Sequence, residues 1–230
     1  MLGVLYIVAT PIGNLRDLSP RAKQVLEQAD IIFCEDTRKT RALLNHLGIK
    51  KSISCLESFY EHNQEQKIPK ALNWLNQGKI LALTTDSGTP TISDPGAKLV
   101  LACHQAKIRV VPIPGPSAIT ASLSASGFSA DRFLFLGFLP AKASERKKVL
   151  EKYKNFEEQI VIFEAPHRLK KTITDVLEIF GDRQICLARE LTKMFEELKV
   201  MRLSELKEEL ENKEVLGEIT IIIRGAGKVI

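Results

Sequence analysis

Chemistry in this chain gathers where apolar runs stop. Residues 80–83, Ile-Leu-Ala-Leu, run straight into Thr84-Thr85-Asp86-Ser87-Gly88-Thr89-Pro90-Thr91-Ile92-Ser93-Asp94-Pro95-Gly96. The short continuous apolar run predicts a strand buried on both faces, and Asp94 followed by Pro95 reads as the N-cap and first position of a helix. In open α/β sheets ligands bind outside the carboxyl ends of strands, and this loop offers a carboxylate (Asp86), a pliable backbone (Gly88) and the amides of the next helix N-terminus. The bland alternative is a capped connection, but a plain one needs only about two to six residues. Two further loops have the same character, Thr10-Pro11-Ile12-Gly13-Asn14-Leu15-Arg16-Asp17 and Pro114-Gly115-Pro116-Ser117-Ala118. No G-x-x-x-x-G-K-[ST] loop exists and no G-x-G-x-x-G follows a strand, so a nucleoside cofactor needs a different cradle.

The elements that would position these loops alternate along the chain. Strand-like runs occur at 2–9, 31–34, 80–83, 108–113, 133–138, 160–163, 184–188 and 218–223. Helical stretches lie between them: Ser19 and Pro20 open one through about 28, and others span 36–47, 61–77 and 95–105. The fold class is α/β. Three prolines and a glycine within 112–116 divide it into an N-terminal α/β domain over 1–113 and a C-terminal one over 117–230, with a ligand site expected in the cleft between them.

Composition narrows the classes. With 230 residues and 44% hydrophobic content, the chain can bury one large core or two modest ones, as a soluble globular protein. No apolar run is long enough to span a bilayer, and the N-terminus lacks a basic leader, so we expect a cytosolic protein without a membrane partner. Cys34, Cys55, Cys103 and Cys186 are far apart and the histidines isolated; with neither C-x-x-C nor H-E-x-x-H, no metal site is expected. The net charge of +5 is clustered. Arg38, Lys39, Arg41, Lys50 and Lys51 fall in a stretch free of acids, and 142–154 is rich in lysine and arginine. Such patches suit a polyanion or form solvated faces.

Several segments together carry a specific resemblance: Leu5-Tyr6-Ile7-Val8-Ala9-Thr10-Pro11-Ile12-Gly13-Asn14-Leu15, Cys34-Glu35-Asp36-Thr37-Arg38, the loop at 86–96, Pro114-Gly115-Pro116-Ser117-Ala118, Phe163-Glu164-Ala165-Pro166-His167-Arg168-Leu169 and Ala188-Arg189-Glu190-Leu191-Thr192-Lys193. In order and spacing they closely resemble the ribosomal RNA small subunit methyltransferase I family of the tetrapyrrole methylase superfamily. The resemblance implies two α/β domains with S-adenosylmethionine in the cleft between them, usually in a homodimer. It also implies transfer of a methyl group to the ribose 2′-hydroxyl of a cytidine in the decoding region of 16S rRNA, within the small ribosomal subunit. Two departures stand out. Family members commonly continue into a small helical tail, whereas this sequence stops at Ile230, and Lys199-Val200-Met201-Arg202 stands where an Arg-Gly pair often follows Phe195-Glu196-Glu197.

The resemblance implies roles as well. The cofactor would lie against Asp86, Ser87, Gly88, Thr89 and Pro90, with Ser117 and Ala118 beneath, Pro11 and Ile12 opposite, and Ala165 and Gly217 on the adenosine side. Methyl transfer from a sulfonium needs an in-line approach, so positioning comes first; a base, or a cation at the developing alkoxide, adds to it. The candidates just past strand ends are Asp36, Arg38, Glu164 and His167. Each has a structural alternative: Asp36 as a helix cap, Glu164 at a helix dipole, His167 as packing. RNA would approach across Arg16, Arg38, Lys39 and Arg41, with Lys142 and Arg146 to Lys148 as outer phosphate contacts. Two other functions stay open: methylation of a tetrapyrrole or other small acceptor, and ribosome assembly without turnover.

Overall fold

In the computed structural model, which describes residues 2–227, the chain divides into two compact units, Met1–Ser117 and Ala118–Ile230. The first runs β1 (Val4–Val8), α1 (Pro20–Gln28), β2 (Ile31–Cys34), α2 (Thr37–His46), β3 (Leu56–Ser58), α3 (Gln64–Asn76), β4 (Ile80–Leu83), α4 (Ala97–Gln105) and β5 (Arg109–Ile113). Its sheet is wholly parallel, in the order β3-β2-β4-β1-β5. Alternation along each strand explains the continuous apolar runs. Leu5, Phe33, Leu81 and Leu83 face Ala71, Leu75, Leu99 and Cys103 of α3 and α4, while Val8, Ile32 and Ala82 face Ala22, Val25, Leu26 and Leu44 of α1 and α2. A strand covered on both faces gains from an apolar side chain at every position.

The second unit contains α5 (Ala118–Ala125), β6 (Phe133–Phe138), α6 (Ala143–Lys152), β7 (Gln159–Glu164), α7 (Pro166–Phe180), β8 (Gln184–Arg189), β9 (Glu197–Arg202), α8 (Leu203–Asn212) and β10 (Ile219–Ile223). Its sheet order is β6-β7-β10-β8-β9, parallel only between β6 and β7. Ile160, Ile162, Ile185, Leu187, Ile221 and Ile223 pack with residues of α6, α7 and α8, while Val161, Cys186 and Ile222 meet Ile119 and Leu123 of α5.

Three expectations change. β3 and β9 fall outside the apolar runs that predict strands, because both lie at sheet edges where a continuous apolar run is not needed. Asp94 does not cap α4: the helix begins at Ala97 with Gly96 at its N-cap, and the Asp94 carboxylate points at Thr85. Arg146 is not an outer phosphate contact. It is 3% exposed, its Nε donates to Asp175 Oδ2 at 2.8 Å, and its Nη1 donates to the carbonyls of Pro140 and Ala141.

Candidate functional site

The three loops singled out from sequence meet at the carboxyl edge of the first sheet. Because β1 and β4 are neighbours, Thr10 and Gly88 face each other, and they exchange two backbone hydrogen bonds, Thr10 N–H to Gly88 O at 2.8 Å and Gly88 N–H to Thr10 O at 3.1 Å. Thr10 Oγ1 donates to Thr85 O at 3.0 Å. Gly88 holds φ +88°, where an L side chain is strained. Thr89 Oγ1 donates to Pro116 O at 3.1 Å, which ties in the third loop. That loop comes so close to β1 that a Cβ on Gly115 would lie 3.0 Å from that of Ala9. Within the 86–96 loop, Thr91 (φ 74°) and Ser93 (φ 61°) also hold left-handed backbone. Such conformations cost on the order of 1 to 3 kcal/mol each for a non-glycine residue and persist where the surroundings over-determine them.

Charge converges on the same place. The Asp86 carboxylate accepts the Asp36 amide at 3.2 Å through Oδ1, and its Oδ2 pairs with Lys39 Nζ at 2.8 Å. Glu35, which lies in the quoted 34–38 segment but is not among the candidates, turns the other way: its Oε1 accepts the Asp86 amide at 3.1 Å and the Thr85 hydroxyl. Asp36 caps α2, accepting the Arg38 amide at 2.8 Å and the Arg38 guanidinium. Its hydrogen bonds from the Arg38 side chain come first in holding its pKa down at about 2, which makes it a poor proton acceptor. Burial comes first in pushing Asp94 up to about 6; the Thr85 hydroxyl beside it pulls the other way, and the charges of Glu35 and Asp86 add to the rise.

Beside this cluster lies a cavity of about 400 Å³. Its walls include Thr10, Pro11 and Leu15 after β1, Lys39, Thr40 and Leu43 on one face of α2, and Thr85 and Asp86 after β4. A mostly apolar hollow with a few convergent polar groups has the size and chemistry of a small-molecule site. Pro11 and Ile12 are both buried.

The second unit places its candidates differently. Glu164 ends β7 with its side chain buried; its carboxylate accepts the amide of Ala165 at 2.8 Å and the Thr172 hydroxyl, with Arg168 Nε 3.2 Å away. Those partners pin the entry of α7, which Ala165 caps and Pro166 opens. His167 is exposed on the first turn of α7. Gly217 is where Glu190 needs room: a Cβ there would lie 2.4 Å from Glu190 Cγ. Ala118 is the first residue of α5, and Ser117 the last of the first unit.

Residues 4–207 match the family model of Tetrapyrrole (Corrin/Porphyrin) Methylases. A protein named Ribosomal RNA small subunit methyltransferase I in Thermotoga maritima is 45% identical over 224 residues, covering 97% of this chain and 99% of the relative. Proteins of the same name in Pasteurella multocida and Xylella fastidiosa are 44% and 46% identical, covering 99% and 97% of this chain and 81% and 82% of their own length. The chain belongs to the ribosomal RNA small subunit methyltransferase I family of tetrapyrrole methylases. Solved structures share its fold. A uroporphyrin-III-C-methyltransferase from Thermus thermophilus superimposes with a TM-score of 0.63 at 19% identity, over 97% of this chain and 94% of that one. A cobalt precorrin-4 methyltransferase gives 0.68 at 16% identity, over 96% and 94%. The helical tail expected of family members is not general: the Thermotoga relative bears the family name with almost nothing outside the matched region.

Proposed function

We propose that this protein is an S-adenosylmethionine-dependent methyltransferase of small-subunit ribosomal RNA, acting on the ribose 2′-hydroxyl of a cytidine in the decoding region of 16S rRNA. The observation that carries the reading is the convergence of three loops on one sheet edge, in a chain 45% identical to a protein of that name over almost its whole length. The residues present suit the cofactor. Gly88 lets the loop lie against Thr10 and Pro116 with no side chain between them, Asp86 offers carboxylate lone pairs beyond the two in use, and Pro11 adds an apolar wall to the cavity. Asp86, Ser87, Gly88, Thr89, Pro90, Pro11, Ile12 and Ser117 would hold the cofactor from the first unit. Ala118, Ala165 and Gly217 remain assigned to it by resemblance alone.

When bound, S-adenosylmethionine supplies an electrophilic methyl group. The chain's own contribution is chiefly positioning, which is worth several orders of magnitude in rate when reacting atoms are aligned. Asp36, tied to Arg38, is better suited to shaping the edge of the site than to removing a proton, and Glu164 is committed to its helix. Lys39, on the cavity wall beside Asp86, is the better cation to stabilise a developing alkoxide, with Arg38 one residue away. Exposed Arg16, Arg38 and Arg41 form the proposed phosphate-facing surface of the first unit, and exposed Lys142 and Lys148 are the proposed outer phosphate contacts of the second.

The protein would work in the cytoplasm, where ribosomes assemble, and as a homodimer. Among the described residues no helix is long and apolar enough to cross a membrane. Met194 and Phe195, 90% and 69% exposed, lie just before the unpaired edge of β9, a combination that favours burial against a second copy. Methyl transfer from labelled cofactor to small ribosomal subunits, naked rRNA and uroporphyrinogen in parallel tests the reading. Label in rRNA alone, mapped to a cytidine ribose, is expected; label in uroporphyrinogen alone would overturn it, and RNA binding without transfer would make this an assembly factor.

A further inference from the structure

The Thr85 hydroxyl presents a counting problem. It lies within hydrogen-bond distance of two carboxylate oxygens, Glu35 Oε1 and Asp94 Oδ2, the latter at 2.9 Å, and a hydroxyl has one proton to give. Two ionised carboxylates would have to share that one proton, whereas a neutral acid at one of them, donating to the hydroxyl oxygen, satisfies both contacts. Glu35 Oε1 is already an acceptor, because it also takes the Asp86 amide at 3.1 Å. We infer that at mildly acidic pH Asp94 holds a proton in the folded protein and donates it to Thr85 Oγ1, that Thr85 in turn donates to Glu35, and that this relay makes Asp94 a pH-sensitive positioning residue for the proposed cofactor loop at 85–90.

The surroundings favour a neutral Asp94. Glu35 faces it from the end of β2 and Asp86 from the loop after β4, and both repel a charge there. The cations on neighbouring elements engage other acids: Arg38 of α2 pairs with Asp36, Lys39 with Asp86, and Lys98 of α4 with Glu65 of α3. The relay also links three separate pieces of chain. Glu35 continues β2, Thr85 continues β4, and Asp94 lies two residues before the N-cap of α4, so loss of the proton sets two carboxylates against each other across the root of the loop. Burial holds the folded Asp94 near 6, above an ordinary carboxyl. The proton-linked stabilisation is therefore complete below the unfolded value and is lost as pH rises through about 6.

Infrared titration of the full chain without cofactor reads the proton, and calorimetry with S-adenosylmethionine reads its effect on the loop; only the second rests on the proposed function. A protonated-carboxyl C=O band that titrates near pH 6 in the wild type and is missing from Asp94→Asn is expected. Cofactor affinity of the wild type should fall roughly tenfold between about pH 6 and pH 8, whereas Asp94→Asn, whose amide can donate as the acid does, should be flat at the low-pH level. Absence of the band, or an Asp94→Asn protein that keeps the wild-type pH dependence, would overturn the relay. Should Asp94→Asn fail to fold, the wild-type titration decides. A titrating band in a chain that binds no S-adenosylmethionine would uphold the proton on Asp94 and refute the cofactor assignment instead.

Discussion

Replacing Arg146 by methionine separates two readings of one residue, since sequence puts it in a basic patch and the structure puts it in a core. Arg146 donates through Nε to Asp175 at 2.8 Å and through Nη1 to Ala141 O at 3.0 Å and Pro140 O at 3.2 Å, so it fastens α6 to α7 and to the turn leaving β6. Methionine fills much of the same volume but leaves the Asp175 carboxylate buried without a guanidinium. Removing one partner of a buried pair costs about 3 to 5 kcal/mol. Lys147 Nζ, 3.6 Å from Asp175 Oδ1, offsets a little of this, so the lower half of that range is expected. That is a large share of a stability of roughly 5 to 15 kcal/mol. Changing Asp175 to leucine as well removes the stranded charge, and the double variant should recover to within about 1 to 2 kcal/mol of wild type. Urea unfolding gives both values, and the salt dependence of rRNA binding gives the other half of the test. A cost below about 1 kcal/mol for Arg146→Met would refute the buried-pair role, and a shallower salt slope in the folded variant would make Arg146 a phosphate-binding residue after all.

Other outcomes follow from the same geometry. Asp86→Ala removes a charged acceptor that also anchors Lys39, and S-adenosylmethionine affinity by calorimetry should drop by roughly ten- to a hundredfold in a folded protein; unchanged affinity takes Asp86 out of the site. Arg16, Arg38 and Arg41 changed together to alanine, with Lys39 kept because it touches Asp86, should lower the salt slope of rRNA binding by about 0.7 to 0.9 for each phosphate left unneutralised, with cofactor affinity intact. Met194→Asp with Phe195→Glu should shift sedimentation equilibrium toward monomer without altering urea stability, both side chains being mostly exposed within the chain; an unaltered dimer would place the interface elsewhere.

How much of the fold is legible in the sequence depends on burial. Residues 31–34 and 80–83 match β2 and β4 because both strands are covered on two faces and carry no polar interruption. The mixed polar and apolar residues of Glu197–Arg202 give no such signal, since that edge strand is only partly buried. The loops at 10–17, 86–96 and 114–118 stand out in the sequence by their small and hydroxylated residues, and the structure brings them to one sheet edge. What the loops do to one another is not. Glu35 and Asp86 meet because β2 and β4 are sheet neighbours, an adjacency that sequence order does not reveal. Asp94-Pro95 carries the right residues for a helix start, yet the turn at Thr91 and Ser93 swings Asp94 back to Thr85 and leaves the cap to Gly96. Arg146 sits among Lys147, Lys148 and Glu145, a composition shared by solvated helices and by helices with a single buried charge, so its partner on α7 is invisible in the sequence.

The strand order of the first sheet sets a schedule for a chain emerging from the ribosome. β4 lies between β2 and β1, although it is made long after both. Until residues 80–83 emerge, the two earlier strands have no backbone partner joining them, and Thr10 waits for a residue 78 positions downstream. Insertion of this central strand is a non-local, late step of the kind that slows folding. The nascent chain therefore exposes the apolar edges of β1 and β2 until most of its first unit has been translated. Only then do Thr10, Glu35 and Thr85 come together, so that this hydrogen-bonded cluster forms in one step with the insertion of β4 rather than growing strand by strand.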